Sequence, residues 1–138
     1  YDRFDDEKSH VIPALIKRAL KRDNPFVVWG DKSTVRDFIF VEDLADGVLK
    51  VLKDYCCADP INISNGKPTM IEELVEIILE VCDHHVNPEY DSTKPTAVPY
   101  RVLDNTKSDK ILGEIKKTDL IKGIQHTVNW YNSSFYRD

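Results

Sequence analysis

The stretch FVVWGDKSTVRDFIFVEDLADGVLKVLKDY, residues 26–55, decides the architecture, because its hydrophobic period changes along it. Phe26, Val27, Val28 and Trp29 form a short apolar run, residues 30–34 a polar turn, and residues 35–41 a second run rich in β-branched and aromatic side chains. Runs of that length and composition read as strands. Neither face of 35–41 is wholly polar, so that strand is expected to be buried on both sides. From Asp43 to Tyr55, residues Leu44, Ala45, Val48, Leu49, Val51 and Leu52 recur at helical spacing, which predicts an amphipathic helix packed by that stripe. Glu42 and Asp43 suit its N-terminus through the macrodipole. Strand leading directly into helix is the grammar of an α/β fold. Trp29 and Arg36 flank the turn, and an indole that stacks beside a guanidinium that chelates phosphate makes a candidate nucleotide or diphosphate clamp.

Upstream, residues 1–8 are polar and aromatic without a period and read as a loop. Ser9 is placed to cap a helix with Pro13 in its first turn, where a missing N–H costs nothing, and Ile12, Leu15, Ile16, Ala19 and Leu20 at helical spacing. It should end near Asp23, Asn24 and Pro25. His10 sits in its first turn, and Lys17 and Arg18 lie off the apolar stripe. Two roles stay open for His10 and Arg18: solvated polar groups on a helix surface, or phosphate recognition.

Downstream, PINISNG at 60–66 reads as a third strand closed by an Asn-Gly turn, and Thr69 opens a helix with Glu72 in the capping-box position. Ile71, Leu74, Val75, Ile78, Leu79 and Cys82 form its core stripe, which makes Cys82 a small core residue. His84 and His85 end the helix, where cations suit the dipole. Neighbouring histidines there point apart, so no metal site is expected. Residues 88–100 contain Pro88, Pro95 and Pro99 and read as an extended, irregular segment whose late cations are Lys94 and, just beyond, Arg101. A short helix at 105–112 stops at Gly113. A final helix starts near Thr118, with Leu120, Ile121, Ile124, Val128 and Tyr131 on one face and Trp130 at its edge, and residues 132–138 are expected to fray.

The chain has 138 residues, 41% hydrophobic and 31% charged, which suits one folded domain with a mid-sized core. Its 24 acidic side chains outnumber 19 Lys and Arg, and a net charge of −5 opposes an extended grip on nucleic acid. No apolar run approaches the ~20 residues that cross a bilayer. YDRFDDEK lacks a cationic start followed by an apolar stretch, so a secretory leader is not expected. Cys56, Cys57 and Cys82 lack CxxC spacing, so neither a disulfide framework nor a zinc knuckle is indicated, and a reducing cytoplasm is the expected location.

The order of WG with its polar turn, RDFIFVEDLADGV, PINISNG, DSTKPTAVPYRVLDNTKSDKILG and the closing GIQHTVNWY resembles the C-terminal half of extended short-chain dehydrogenase/reductase enzymes, the NAD-dependent epimerase/dehydratase family. The resemblance covers essentially the whole chain. Within that family YDRFDDEKSHVIPALIKR is most similar to the GDP-L-fucose synthase branch, although Lys32 stands where the family usually has glycine. The resemblance implies the substrate-binding C-terminal portion of an extended Rossmann-type fold, short strands interleaved with amphipathic helices. It implies a nucleotide-diphosphate sugar as partner, NAD or NADP as cofactor, and a homodimeric parent. It also implies that His10 approaches the nicotinamide cofactor and that Arg18, Trp29, Arg36 and Lys94 contact the substrate. Converging cations from separate elements suit a diphosphate, whose oxygens point several ways.

Two features such enzymes need are not found. No GxxGxxG turn for a cofactor pyrophosphate occurs. The single YxxxK match, Tyr90 to Lys94, falls in the Pro-flanked extended segment, where the pair would not stack across a helical turn. Residues 1–138 are therefore expected to be one substrate-side domain without its dinucleotide-binding partner and without turnover of its own. The alternatives are another nucleotide-sugar 4-epimerase or dehydratase of the same family, or a non-catalytic protein-interaction module on the same fold.

Overall fold

A computed structural model describes residues 2–5, 9–55, 57–94 and 98–135. Cys56, Pro95 and residues 136–138 of the tail, on which expectations were placed, lie outside them. The chain order is α1 (Val11–Leu20), β1 (Phe26–Trp29), β2 (Val35–Asp37), α2 (Val41–Asp54), β3 (Pro68–Met70), α3 (Ile71–Val81), β4 (Pro88–Asp91), β5 (Tyr100–Arg101), α4 (Thr106–Leu112) and α5 (Leu120–Phe135). Among the described residues no helix is long and apolar enough to cross a membrane.

The core lies between α1, α3 and α5. Leu15, Ile16 and Ala19 of α1 meet Leu74, Val75 and Ile78 of α3 and Ile124, Val128 and Tyr131 of α5, with Phe26 and Val28 of β1 beneath. All are apolar positions of the sequence periods, and Cys82 is buried among them as expected. Phe4, in the opening loop, is also buried there, its ring 4.4 Å from Tyr131 and 6.0 Å from Trp130.

Two small sheets frame this core. β1 pairs in parallel with β4, with Trp29 opposite Asp91. β2 is the centre of a three-stranded sheet, antiparallel to β3 and parallel to β5. β4 falls within the segment expected to be irregular, and β5 starts at its last residue. Pro88 is tolerated as the first residue of β4, where the missing N–H spares the ladder.

The expected strand at 60–66 does not form, and β3 lies just after it. Backbone groups of 64–66 are held by side chains instead: Ser64 O accepts from Asn105 Nδ2 at 2.8 Å, and Gly66 N donates to both Asp37 carboxylate oxygens at 3.1 Å. The strand expected over 35–41 stops at Asp37 and is only half-buried, because Phe40 already accepts the first bond of α2, from Leu44 N at 3.1 Å.

Helix ends also differ. His10, not Ser9, occupies the N-cap of α1, without a side-chain bond. Thr69 belongs to β3, and α3 starts without the expected capping box. Its first donors go to the 30–34 turn: Ile71 N to Thr34 O at 2.9 Å and Glu72 N to Lys32 O at 3.1 Å. An external carbonyl satisfies an orphan helix donor as well as a cap does. His84 is not placed at the exposed end of α3; it is buried beyond the helix, with Nε2 2.9 Å from Asp23 O and its ring edge against Phe26. α5 runs on to Phe135 rather than fraying from Asn132.

One expected packing face is not packed. α2 buries Asp43 and Gly47, whereas Leu44, Val48, Leu49 and Leu52 of its apolar stripe are exposed. Asp43 accepts from Thr118 N and Thr118 Oγ1 at 2.5 and 2.9 Å, which turns the opposite side of the helix inward.

Candidate functional site

β1 alternates inward and outward, so with Phe26 and Val28 buried the next outward position is Trp29, 73% exposed at the strand's end. Gly30 follows with φ 98°, a left-handed conformation open to glycine, and starts the turn. The Asp31 carboxylate accepts from Ser33 N and Ser33 Oγ, both at 2.8 Å, and these bonds hold its pKa below the usual carboxylate value. Lys32 Nζ lies 2.7 Å from Glu72 Oε1. Lys32, where the resemblance leads to glycine being expected, thus ties the turn to the start of α3, and the Glu72 bond raises its pKa.

β4 ends beside Trp29, and Asp91 organises the turn that leaves it. Its carboxylate accepts from Thr93 N at 3.1 Å and Thr93 Oγ1 at 2.6 Å, which depresses its pKa, and its carbonyl receives Gly30 N at 3.0 Å. That turn sets Lys94 Nζ 5.4 Å from the Trp29 ring centroid, a cation–π distance. Lys94 therefore stands beside Trp29. Tyr90 and Lys94 lie on a strand and the turn after it, not on a helix.

His10, Trp29 and Arg36 line one cleft of about 350 Å³, together with Gly30, Asp37 and Arg101. The Asp37 carboxylate is taken up by Gly66 N and by Leu103 N at 3.3 Å. Arg36 Nη1 donates to Val35 O at 2.7 Å, and neither Arg36 nor Arg101 has a carboxylate partner among the described residues. The His10 imidazole is largely exposed at the mouth, 3.5 Å from Asp2. His10 and Phe38 also line a second, apolar cleft of about 360 Å³ bounded by Pro13, Phe40, Leu120 and Ile124.

Arg18 stands apart from both. Its Nε bonds Asp23 Oδ2 at 2.9 Å, its Nη1 donates to Val27 O at 2.6 Å, and its guanidinium lies 4.8 Å from the Phe26 ring centroid. It ties the end of α1 to β1. Arg101 is the residue that sequence reasoning left as one loop cation among others; only the pairing of β5 with β2 brings it to the cleft.

The cleft can therefore stack a flat ring on Trp29 and receive an anion between cations. Residues 1–64 match the NAD dependent epimerase/dehydratase family. A probable GDP-L-fucose synthase of Oryza sativa subsp. japonica is 37% identical over 134 residues, covering 94% of this chain and 40% of that protein. A UDP-glucose 4-epimerase from Thermotoga maritima, solved with UDP-glucose, superposes with a TM-score of 0.85 at 25% identity over 96% of this chain and 43% of that one. A GDP-L-fucose synthetase from Naegleria fowleri, bound to NADP, gives 0.89 over 98% and 44% at 23% identity, a likeness of fold. The chain thus spans about two-fifths of the length of the relatives it matches.

Proposed function

We propose that this chain, which matches the NAD dependent epimerase/dehydratase family over residues 1–64 and is similar to GDP-L-fucose synthases along nearly its whole length, is the substrate-binding portion of a nucleotide-sugar epimerase and reductase. In this proposal residues 1–138 are one substrate-side domain, and a dinucleotide-binding domain completes the enzyme with the catalytic tyrosine and lysine. The reaction served is epimerisation and reduction of GDP-4-keto-6-deoxymannose, and the isolated chain does not turn over. The parent is a homodimer.

The observation that carries the proposal is an exposed indole and Arg36 lining one cleft, with the Lys94 ammonium over that indole and no carboxylate paired to that arginine among the described residues. The indole stacks the base, and Arg36 and Lys94 divide the diphosphate between a planar fork and a mobile point charge. Reduced NAD or NADP, when bound, would supply the hydride that reduces the 4-keto group of the sugar and would leave in the oxidised form. This chain's residue for that cofactor is His10, an exposed imidazole at the cleft mouth able to donate or accept a hydrogen bond. Arg18 acts here by fixing the β1 edge on which Trp29 stands.

Titration of the chain with GDP and with UDP-glucose should quench Trp29 fluorescence, with Trp29→Phe separating it from Trp130. Arg36→Gln should weaken binding about 10- to 100-fold, the scale of a charge-assisted hydrogen bond. Binding of neither nucleotide, or NADPH oxidation by the chain alone, would overturn the proposal.

A further inference from the structure

Arg36 and Arg101 are directly opposite each other on the parallel strands β2 and β5. Residues in register share a face of the sheet, and neighbouring strands lie ~4.8 Å apart. The two guanidinium side chains therefore rise side by side, and both line the 350 Å³ cleft that holds Trp29 and His10. Like charges directly opposite on a sheet destabilise it unless something of opposite sign lies between them.

The nearby carboxylates do not serve. Asp37, next to Arg36 in the chain, accepts from the backbone N–H groups of Gly66 and Leu103. Asp31 accepts from Ser33. The only side-chain hydrogen bond of Arg36 among the described residues goes to the carbonyl of Val35, which leaves most of its donors available. The acids that share the cleft, Asp31 and Asp37, accept from amides and hydroxyls, and neither arginine forms an ion pair with them among the described residues.

We propose that Arg101 is a substrate-binding residue, forming with Arg36 a two-armed guanidinium grip on one phosphoryl group, while Lys94 beside Trp29 serves the other phosphoryl. This rests on the nucleotide-sugar reading of the same cleft and adds a residue and a division of labour to it. A planar fork from each strand meets the tetrahedral oxygens of one phosphoryl from two sides, which a single arginine cannot do.

The test is calorimetric titration of the 138-residue chain with GDP, GMP and inorganic pyrophosphate, for the wild type, Arg36→Gln, Arg101→Gln and the double variant. Arg101→Gln should weaken GDP and pyrophosphate about 10-fold. Because the two arms share one anion, loss of both should cost less than the product of the two single losses. Without ligand, Arg101→Gln should raise Tm by roughly 1–3 °C through relief of like-charge repulsion. If Arg36→Gln weakens GDP and Arg101→Gln does not, the grip is wrong and the nucleotide-sugar reading stands. If the wild type binds none of the three, both fail. A fall in Tm for ligand-free Arg101→Gln makes Arg101 a structural residue and also overturns the grip.

Discussion

α2 and α3 are written in the same amphipathic language and meet different fates. Each follows an extended segment, each has two acids in its first turn, Glu42 and Asp43 or Glu72 and Glu73, and neither has a side-chain cap. Yet α3 buries Ile71, Leu74, Val75, Ile78 and Leu79, whereas α2 leaves Leu49 63% and Leu52 67% exposed. The difference is the neighbour. α3 lies between α1 and α5, while α2 is seated by its polar and smallest positions: Asp43 holds Thr118, and a Cβ on Gly47 would come within 2.8 Å of Ile63 Cγ2. An apolar stripe states which face gains from burial and not which part of a protein covers it. Relatives of which this chain covers about two-fifths have further sequence to supply a cover, and we propose that the dinucleotide-binding portion lies on this face.

The comparison breaks most visibly at Leu74, which is fully buried. Leu74→Ala should cost about 2–5 kcal/mol, from lost transfer energy and the cavity left behind. A urea melt reads this as a lower midpoint at constant slope. A loss below about 1 kcal/mol would mean that α3 is no better packed than α2. Next in size is Gly47→Val on the seated side of α2. Two branches in place of hydrogen push against Ile63 and Ile115, and overpacking of this kind costs about 1–3 kcal/mol. An unchanged midpoint would show that α2 is loosely held on both faces.

Much of this was legible from residue order. The periods found β1, the core stripe of α3 and the face of α5, and Gly113 stops α4 with φ 68° as a C-terminal glycine should. Trp29 and Arg36 were visible as the flanks of one turn. What escaped depends on distant partners. β4 was hidden because prolines argue against strands, and only its pairing with β1 overrides them. The 60–66 run has strand composition but no ladder neighbour among the described residues. Arg101 reaches the cleft through register with Arg36, and Arg18 is held by Asp23 and the Val27 carbonyl; neither position emerges from spacing.

A third test uses pH at the end of α3. Burial pushes the Cys82 thiol from its ordinary 9.0 up to about 11. Between those values the unfolded chain has released the proton while the folded chain keeps it, so the unfolded state binds fewer protons and stability falls as pH rises from 9 to 11. Cys82→Ala should flatten that slope, whatever its effect on absolute stability. Equal slopes in the two proteins would place Cys82 in contact with water, contrary to the packing of the α3 stripe.

The smallest effect on stability is expected at the face that sets the two helices apart. Leu49→Gln with Leu52→Gln removes apolar surface that already meets water, so the urea midpoint should move by no more than about 0.5 kcal/mol. Binding of the hydrophobic dye ANS and aggregation should both fall, because an exposed apolar stripe is what each responds to. A large loss of stability in the 138-residue chain would mean that this face is covered by the chain itself or by a second copy, which sedimentation would distinguish. In an enzyme that also carries the dinucleotide-binding portion the same pair should be costly, since burying one leucine is worth roughly 1.5–3 kcal/mol. A neutral result there would leave α2 free in the longer protein and make its stripe available to a different protein.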